Sequence, residues 1–428
     1  CFDGIEPLRV LNIHNAIYKN TKQRNAALQY DSGRCNLILV NYEAVSGVLD
    51  SLIQLLDKQT LLVFDEVHKV KRINGEYAEN ALRLSHEACY TVAMTGTPIP
   101  NSYTDIYNLL HILFPHEYDE FFDFTVPMLR NPGAAEVATI NDKLQPFFCR
   151  TTKDQLGVPK ANSDILCVAD AKPEENQLLR ILQMKYRKNK LALLVRILQM
   201  ESNPKLLLQS LDLADFAYLL DDSVGTSEID YADYSDEVKA LIDAYGRTTK
   251  FEQCVELASS LAKQKKPVII WCMFVNSIQN LSETLEERGI QTRCIYGEVP
   301  LEARQQILAD FRSGKIQVLL TNPHTLAESV SLHSVGHDAI YFEYSYNLVH
   351  LLQSKDRIHR LGLPDDQYTQ YYYHQLSYQT EDGSWSLGEA VYKRLKEKEQ
   401  IMLDAIDNHV LEAMPTSDED LEIIFSKL

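Results

Sequence analysis

The sequence predicts an α/β protein built on two doubly wound parallel sheets, with a helical insertion between them and a C-terminal helix. Three observations lead there. Short unbroken apolar runs alternate with stretches of helical periodicity over residues 1–160, and the same rhythm returns over 246–375; strands that alternate with helices are the pattern of parallel sheets covered by helices. Leu61-Leu62-Val63-Phe64 runs straight into Asp65-Glu66-Val67-His68, and an apolar run without polar alternation fits a strand buried on both faces. Between the two rhythmic blocks, residues 161–245 break the pattern.

In the first block, Leu8-Arg9-Val10-Leu11-Asn12-Ile13 and Asn36-Leu37-Ile38-Leu39-Val40-Asn41 read as strands, followed by a helix from Ala44 to Leu56. The Asp65 strand comes next, then a helix over Tyr77–His86 and the strand Tyr90-Thr91-Val92-Ala93-Met94. That strand runs into Thr95-Gly96-Thr97-Pro98-Ile99-Pro100-Asn101. Gly allows a tight turn there, and the hydroxyls suit hydrogen bonds to acids of a neighbouring strand. Ligands of parallel sheets sit beyond the carboxyl ends of the strands. An acid at that edge can hold Mg²⁺, usually through water, and a second acid can polarise a water that attacks a nucleotide phosphate. The competing reading is a strand with a charged turn.

Residues 173–200 carry helical periodicity and a basic cluster, Lys185-Tyr186-Arg187-Lys188-Asn189-Lys190, which reads as a solvated face or as a phosphate contact. Residues 211–238 are rich in Asp, Ser and Tyr and read as a surface insertion. The second block has strands at Pro267–Cys272, Thr292–Tyr296, Gln317–Leu320 and Ala339–Phe342, with helices at Lys250–Lys263, Asn276–Arg288 and Arg304–Arg312. Leu387–His409 is a charged amphipathic helix, and the tail Asp418-Glu419-Asp420 is acidic. The expected domains are 1–160, 161–245, 246–375 and 376–428.

Composition excludes several classes. A chain of 428 residues with 45% hydrophobic and 24% charged residues can bury substantial cores. No apolar run reaches the length needed to span a bilayer, so a cytoplasmic, or nucleoid-associated, protein is expected. The eight cysteines include no C-x-x-C pair, which argues against a zinc ribbon or disulfide framework. A net charge of −18 argues against indiscriminate nucleic-acid binding. It leaves room for a local basic groove, because charges act over a Debye length of roughly 8 Å. The chain opens on Cys1 in mid-pattern, and an N-terminal part is expected to precede it.

Taken together, these segments resemble the helicase motifs of the Swi/Snf family of superfamily 2. Asp65-Glu66-Val67-His68 resembles a DEAH-type box, Thr95 to Asn101 resembles motif III, and Asn41-Tyr42-Glu43 resembles the T-Y-E of motif Ib with Asn for Thr. Gln145 to Lys153, then Pro159, is similar to the segment leaving the first lobe, with Thr151 where a second basic residue is usual. Tyr296-Gly297, Arg304 and Phe311-Arg312 follow the family's second-lobe pattern, and Gln353-Ser354-Lys355-Asp356-Arg357-Ile358-His359-Arg360-Leu361-Gly362 matches motif VI. Arg357 and Arg360, three apart on a helix, would share a face and suit bidentate recognition of phosphate oxygens.

The resemblance implies two RecA-like lobes and an ATP-dependent double-stranded DNA translocase that uses ATP and Mg²⁺. Asp65 would help hold the metal, Glu66 orient water, and Arg357 and Arg360 stabilise the transferring phosphoryl group. His68, Thr95, Thr97, Gln353 and Glu328 would serve nucleotide binding and coupling; Asn41, Tyr42, Asn101, Thr321 and Ser331 would contact DNA. Duplex DNA and other subunits of a DNA-processing system would be the partners, without a membrane. Compact lobes lean towards prokaryotic defence against foreign DNA or repair. Motif V departs from the family: Ala327-Glu328-Ser329-Val330-Ser331-Leu332-His333 lacks the usual glycines and Asn, and Glu328 suits a ribose better than a phosphate. No G-x-x-x-x-G-K-[ST] loop occurs in these residues, so the phosphate-cradling loop is expected to lie upstream. The alternatives are a non-hydrolysing DNA-binding or scaffold module, and a DEAH-type RNA helicase.

Overall fold

Parallel strand pairing organises both halves of the chain. The structure, a computed structural model, describes residues 7–15, 17–95, 103–130, 132–144, 153–209, 236–326, 330–381, 383–407 and 417–428. It divides into two compact units: Cys1–Phe148 with Ile401–Met414, and Cys149–Gln400 with Pro415–Leu428.

The first unit holds two parallel pairs, β1 (Val10–Asn12) with β2 (Leu37–Leu39) and β3 (Leu61–Phe64) with β4 (Tyr90–Ala93). The helix Tyr42–Ile53 starts where Asn41 caps it, its side chain accepting the Ala44 N–H at 3.0 Å, a bond type that stabilises a helix by about 1 kcal/mol. Val45 and Leu49 from this helix, and Ala81 and Leu84 from the helix Glu76–Glu87, meet Phe64 and Val67 in one core. The other face of β3 and β4 is open, which corrects the sequence expectation of burial on both faces. Leu61 is 57% exposed, Val63 45% and Tyr90 59%, because both helices pack on the side of Phe64 and no described element covers the opposite side. A second core gathers Tyr103, Ile106, Leu110, Tyr118, Phe122 and Leu129 around the helices Asp105–Leu113 and Ala134–Leu144; the sequence reading did not anticipate these helices.

The second unit is organised by a seven-stranded sheet. Its strands are β5 (Ile165–Asp170), β6 (Val268–Trp271), β7 (Thr292–Ile295), β8 (Val318–Thr321), β9 (Asp338–Tyr341), β10 (Gln370–Thr380) and β11 (Gly383–Trp385). The order is β11-β10-β9-β6-β8-β7, with β5 also paired to β10. All pairings are parallel except β10 with β11. β6, β8 and β9 are buried at every position, as unbroken apolar runs demand in a parallel sheet. Their side chains Val268, Ile270, Leu320 and Ile340, with Phe342 just past β9, pack against Phe251, Val255 and Ala258 of the helix Thr249–Lys263 and Ile278 and Leu281 of the helix Val275–Glu287.

The stretch after residue 161 is packed into this unit rather than lying on it. β5 is a member of the sheet, and every residue of the helix Lys190–Ser202 after Lys190 is buried. Two charges inside that helix have buried partners: Glu201 Oε2 accepts from Lys250 Nζ at 2.8 Å, and Arg196 donates to Gln199 Oε1 at 3.0 Å. In the basic cluster, Tyr186 is buried and Lys190 pairs with Glu422. The acidic run over 211–235 lies outside the described residues. No helix among the described residues is long and apolar enough to cross a membrane.

Candidate functional site

In the first unit the acidic pair stands at the carboxyl end of β3, where the parallel neighbour β4 delivers Thr95. The Met94 N–H donates to the Phe64 carbonyl at 2.8 Å and the Val67 N–H to the Met94 carbonyl at 3.0 Å, so the two strand ends are stitched together. Glu66 sits in the left-handed region at φ 49 and ψ 49. A side-chain-bearing residue held there costs about 1–3 kcal/mol and persists only where its surroundings impose it. Three contacts impose it here. The Asp65 carboxylate accepts the Glu66 N–H at 2.9 Å. Tyr42 donates its hydroxyl to the Asp65 carbonyl at 2.8 Å. His68 Nδ1 lies 3.2 Å from Glu66 Oε2 and 3.3 Å from Thr95 Oγ1, joining the two loops.

The chemistry of this edge follows from exposure. Asp65 is exposed and Glu66 half-buried, so both carboxylates can reach a bound ligand. Burial, and then the charges of Asp65 and Glu66, push the Tyr42 hydroxyl well above the usual phenol range, which keeps it a proton donor to the loop. Among the described residues, no group of three or more His, Cys, Asp or Glu could hold a metal ion. Mg²⁺ does not need such a cage, since it binds through one or two carboxylates with water and substrate phosphates, and Asp65 fits that mode. Asn108, which sequence reasoning missed, is buried beneath the loop and donates to the carbonyls of Val70 at 2.7 Å and Arg72 at 3.1 Å. A lone Asn inside an apolar helix was the available signal.

Asn41 is at the same edge, but its side chain is spent on the helix cap and its own N–H donates to His14 Nε2 at 2.9 Å. Tyr42 stacks on Phe64 with ring centroids 6.5 Å apart and is engaged with the acidic loop rather than presented to solvent. Thr97 and Asn101 lie outside the described residues.

In the second unit the motif VI residues cluster around the end of the helix Leu348–Lys355. The sequence expectation put Arg357 and Arg360 on a helix; the helix ends at Lys355, with Asp356 as its cap, and both arginines stand on the turns beyond it. Buried Ile358 and the left-handed Gly362, at φ +95, bend the chain away. A side chain at Gly362 would come within 3.1 Å of His333 Nε2. Arg357 is buried; its carbonyl accepts the Leu332 N–H at 2.9 Å and its guanidinium donates to the Val330 carbonyl at 3.5 Å. Motif VI is thereby tied to the divergent motif V. Ser331 Oγ and His333 Nδ1 are 2.6 Å apart, and burial, then Arg360, lowers the His333 pKa. Gln353 and Arg360 are half-buried. Thr321 is wholly buried at the end of β8, and Glu328 lies outside the described residues.

Beyond the carboxyl ends of β6, β8 and β9 opens a small crevice lined by Met273, Asn322, Glu343, His350 and Ser354 among others. Glu343 organises its floor. It accepts the N–H groups of Met273 at 2.7 Å and Phe274 at 3.0 Å and the Ser277 hydroxyl at 2.5 Å. Burial raises its pKa, and these bonds oppose the rise. An acid placed between Phe342 and Tyr344 was its only mark in the sequence.

Comparison with known proteins adds an independent line. Residues 8–207 match the SNF2-related domain and residues 249–362 match the helicase conserved C-terminal domain. An uncharacterized ATP-dependent helicase of Mycoplasma pneumoniae is 23% identical over 324 residues, 74% of this chain and 28% of that protein. The Chromodomain-helicase-DNA-binding protein 1-like of Danio rerio is 24% identical over 362 residues, 81% of this chain and 33% of that protein. A solved SWI2/SNF2 ATPase core of Sulfolobus solfataricus in complex with dsDNA is 17% identical, with a TM-score of 0.38, covering 97% of this chain and 81% of that one. The chain spans about a third or less of the length of these curated relatives.

Proposed function

We infer that this chain, which belongs to the SNF2-related helicases, is the hydrolysing and duplex-gripping part of an ATP-driven DNA translocase. The observation that carries the reading is the acidic turn at the end of β3, held in a left-handed conformation by Tyr42 and joined to Thr95 through His68. Strain kept in place by specific partners at a strand end is characteristic of sites that do chemistry. Relatives whose names include ATP-dependent helicases support the same direction.

On this reading Asp65 would help hold Mg²⁺, and the ion would neutralise charge on the phosphates when bound. Glu66 orients the attacking water, with His68 fixing its carboxylate and linking it to Thr95. Arg357 and Arg360 stabilise the charge on the transferring phosphoryl group, their planar guanidinium groups matching its oxygens. These 428 residues hold no G-x-x-x-x-G-K-[ST] loop, so ATP binding requires one in addition to them, and hydrolysis is tested in the intact protein. Hydrolysis of ATP should rise when duplex DNA is added, and Glu66→Gln should abolish turnover while ATP still binds. Turnover that survives Glu66→Gln removes Glu66 from this role. ATP binding and DNA binding without hydrolysis would instead favour the non-hydrolysing module.

A further inference from the structure

We propose that residues 153–164 form a positioning strap that sets the Arg357–Arg360 turn, with Lys153, His359 and Asp164 as its anchoring side chains. The inference rests on the ATPase reading above. Three bonds, spaced along the strap, reach residues that interleave with the two arginines. Lys153 pairs with Asp356. The Pro159 carbonyl meets His359 Nε2 at 2.7 Å. Asp164 pairs with Lys355 at 3.7 Å, where both side chains are nearly buried.

The middle anchor fixes a tautomer. A carbonyl only accepts, so His359 Nε2 carries the proton, and in the neutral ring Nδ1 is left as an acceptor. Lys153 Nζ, a donor only, lies 3.4 Å from that Nδ1. Lys153 therefore serves both Asp356 and His359. The third anchor is deeper. Asp164 also accepts from the Tyr392 hydroxyl at 2.8 Å and faces Lys396 at 3.3 Å, both on the long helix Leu387–Asp407. Lys355 lies over the Tyr371 ring at 4.9 Å, and its carbonyl accepts the Tyr371 hydroxyl at 3.1 Å. Isolated surface ion pairs contribute little, but charges this buried need their partners, and removing one leaves the other uncompensated.

The strap has a firm base. Gly157 takes φ +69, a left-handed turn that lets the Val158 N–H return to the Lys153 carbonyl at 3.0 Å and places Pro159 next in line. Further along, the Asn162 N–H donates to the Thr369 carbonyl at 2.9 Å and Gln370 Nε2 to the Ser163 carbonyl at 2.8 Å, which joins the strap to the segment entering β10. Arg357 and Arg360 stand past the end of their helix, on turns closed by bonds such as Arg357 N–H to the Ser354 carbonyl at 3.2 Å and His359 N–H to the Lys355 carbonyl at 3.1 Å; the strap adds side-chain restraint from residues on both sides of Arg357.

The test is a charge exchange in the intact protein, read by kinetics and by amide hydrogen exchange over residues 355–361. Lys153→Asp and Asp356→Lys should each lower kcat for DNA-stimulated ATP hydrolysis roughly 10- to 100-fold, the scale of a misplaced catalytic group, with KM for ATP within about twofold. Each should speed exchange in the turn, and the double variant should recover most of both. Asp164→Asn should speed the same amides. If the parent protein hydrolyses ATP and the single variants keep its kcat, the strap does not position the arginines, while the ATPase reading stands. If the parent hydrolyses no ATP, that reading fails and the strap's part in catalysis with it. Exchange unchanged in all variants would show that the strap does not hold the turn at all.

Discussion

Tyr42→Phe isolates one hydrogen bond beneath the acidic turn. The substitution keeps the ring, so the stack on Phe64 at 6.5 Å and the contact with Tyr77 at 6.4 Å remain. It removes only the hydroxyl that donates to the Asp65 carbonyl at 2.8 Å. Such a bond stabilises by about 0.5–1.5 kcal/mol net. The turn it supports stores about 1–3 kcal/mol of backbone strain at Glu66, so losing the bond removes a restraint comparable with the strain it opposes. If the turn must be held to orient water, kcat should fall by about 2- to 10-fold. Global stability should change by no more than about 1.5 kcal/mol. The assay is steady-state ATP hydrolysis of the intact protein with saturating duplex DNA, beside a denaturation curve. A kcat equal to that of the parent, with the folded state intact, would refute the argument that Tyr42 holds the acids in place.

Two further predictions concern the second unit. Lys250→Met removes the partner of fully buried Glu201, leaving its carboxylate with the Tyr378 hydroxyl at 3.2 Å; stability should fall by about 3–5 kcal/mol, read from the urea midpoint of this unit's transition. His374 is wholly buried, with Nδ1 3.0 Å from Gln253 Oε1, and burial, then Lys250, lowers its pKa from 6.5 to about 3. The unfolded chain therefore binds the proton first as pH falls: the stability from neutral His374 is complete above pH 6.5 and is lost between pH 6.5 and about 3. His374→Gln should flatten the unfolding free energy across that window by up to about 1.4 kcal/mol per pH unit, measured by denaturant titrations at several pH values.

The sequence was legible where chemistry is repetitive. Val268–Trp271, Val318–Thr321 and Asp338–Tyr341 are strands because each apolar run is buried on both faces. The same pattern at Leu61–Phe64 identified a strand but not its cover, since an apolar run does not say which neighbours arrive to bury it. The helices over 105–144 were missed because their core is made by scattered aromatics, Tyr103, Tyr118, Phe122 and Phe124, that follow no single period. At the site, residue types were readable and partnerships were not. Tyr42 and Asn41 bear side chains that suit nucleic acid, yet the hydroxyl of one holds Asp65 and the amide of the other caps a helix. The spacing of Arg357 and Arg360 suggested a helix face; contacts from residues about 200 positions earlier, such as Pro159 with His359, decide how the turn beyond the helix is held, and no local pattern encodes them.

The central claim is the proposal that the acids at 65 and 66 and the arginines at 357 and 360 act in one ATP-hydrolysis reaction. A double-mutant cycle measures it directly: kcat/KM for ATP in the intact protein, in Glu66→Asp, which keeps a displaced carboxylate and a residual rate, in Arg360→Ala and in the pair together. Groups that act on the same transition state are strongly non-additive, so the double variant should be little worse than the more damaged single one. Losses that multiply, as for independent sites, would contradict the account.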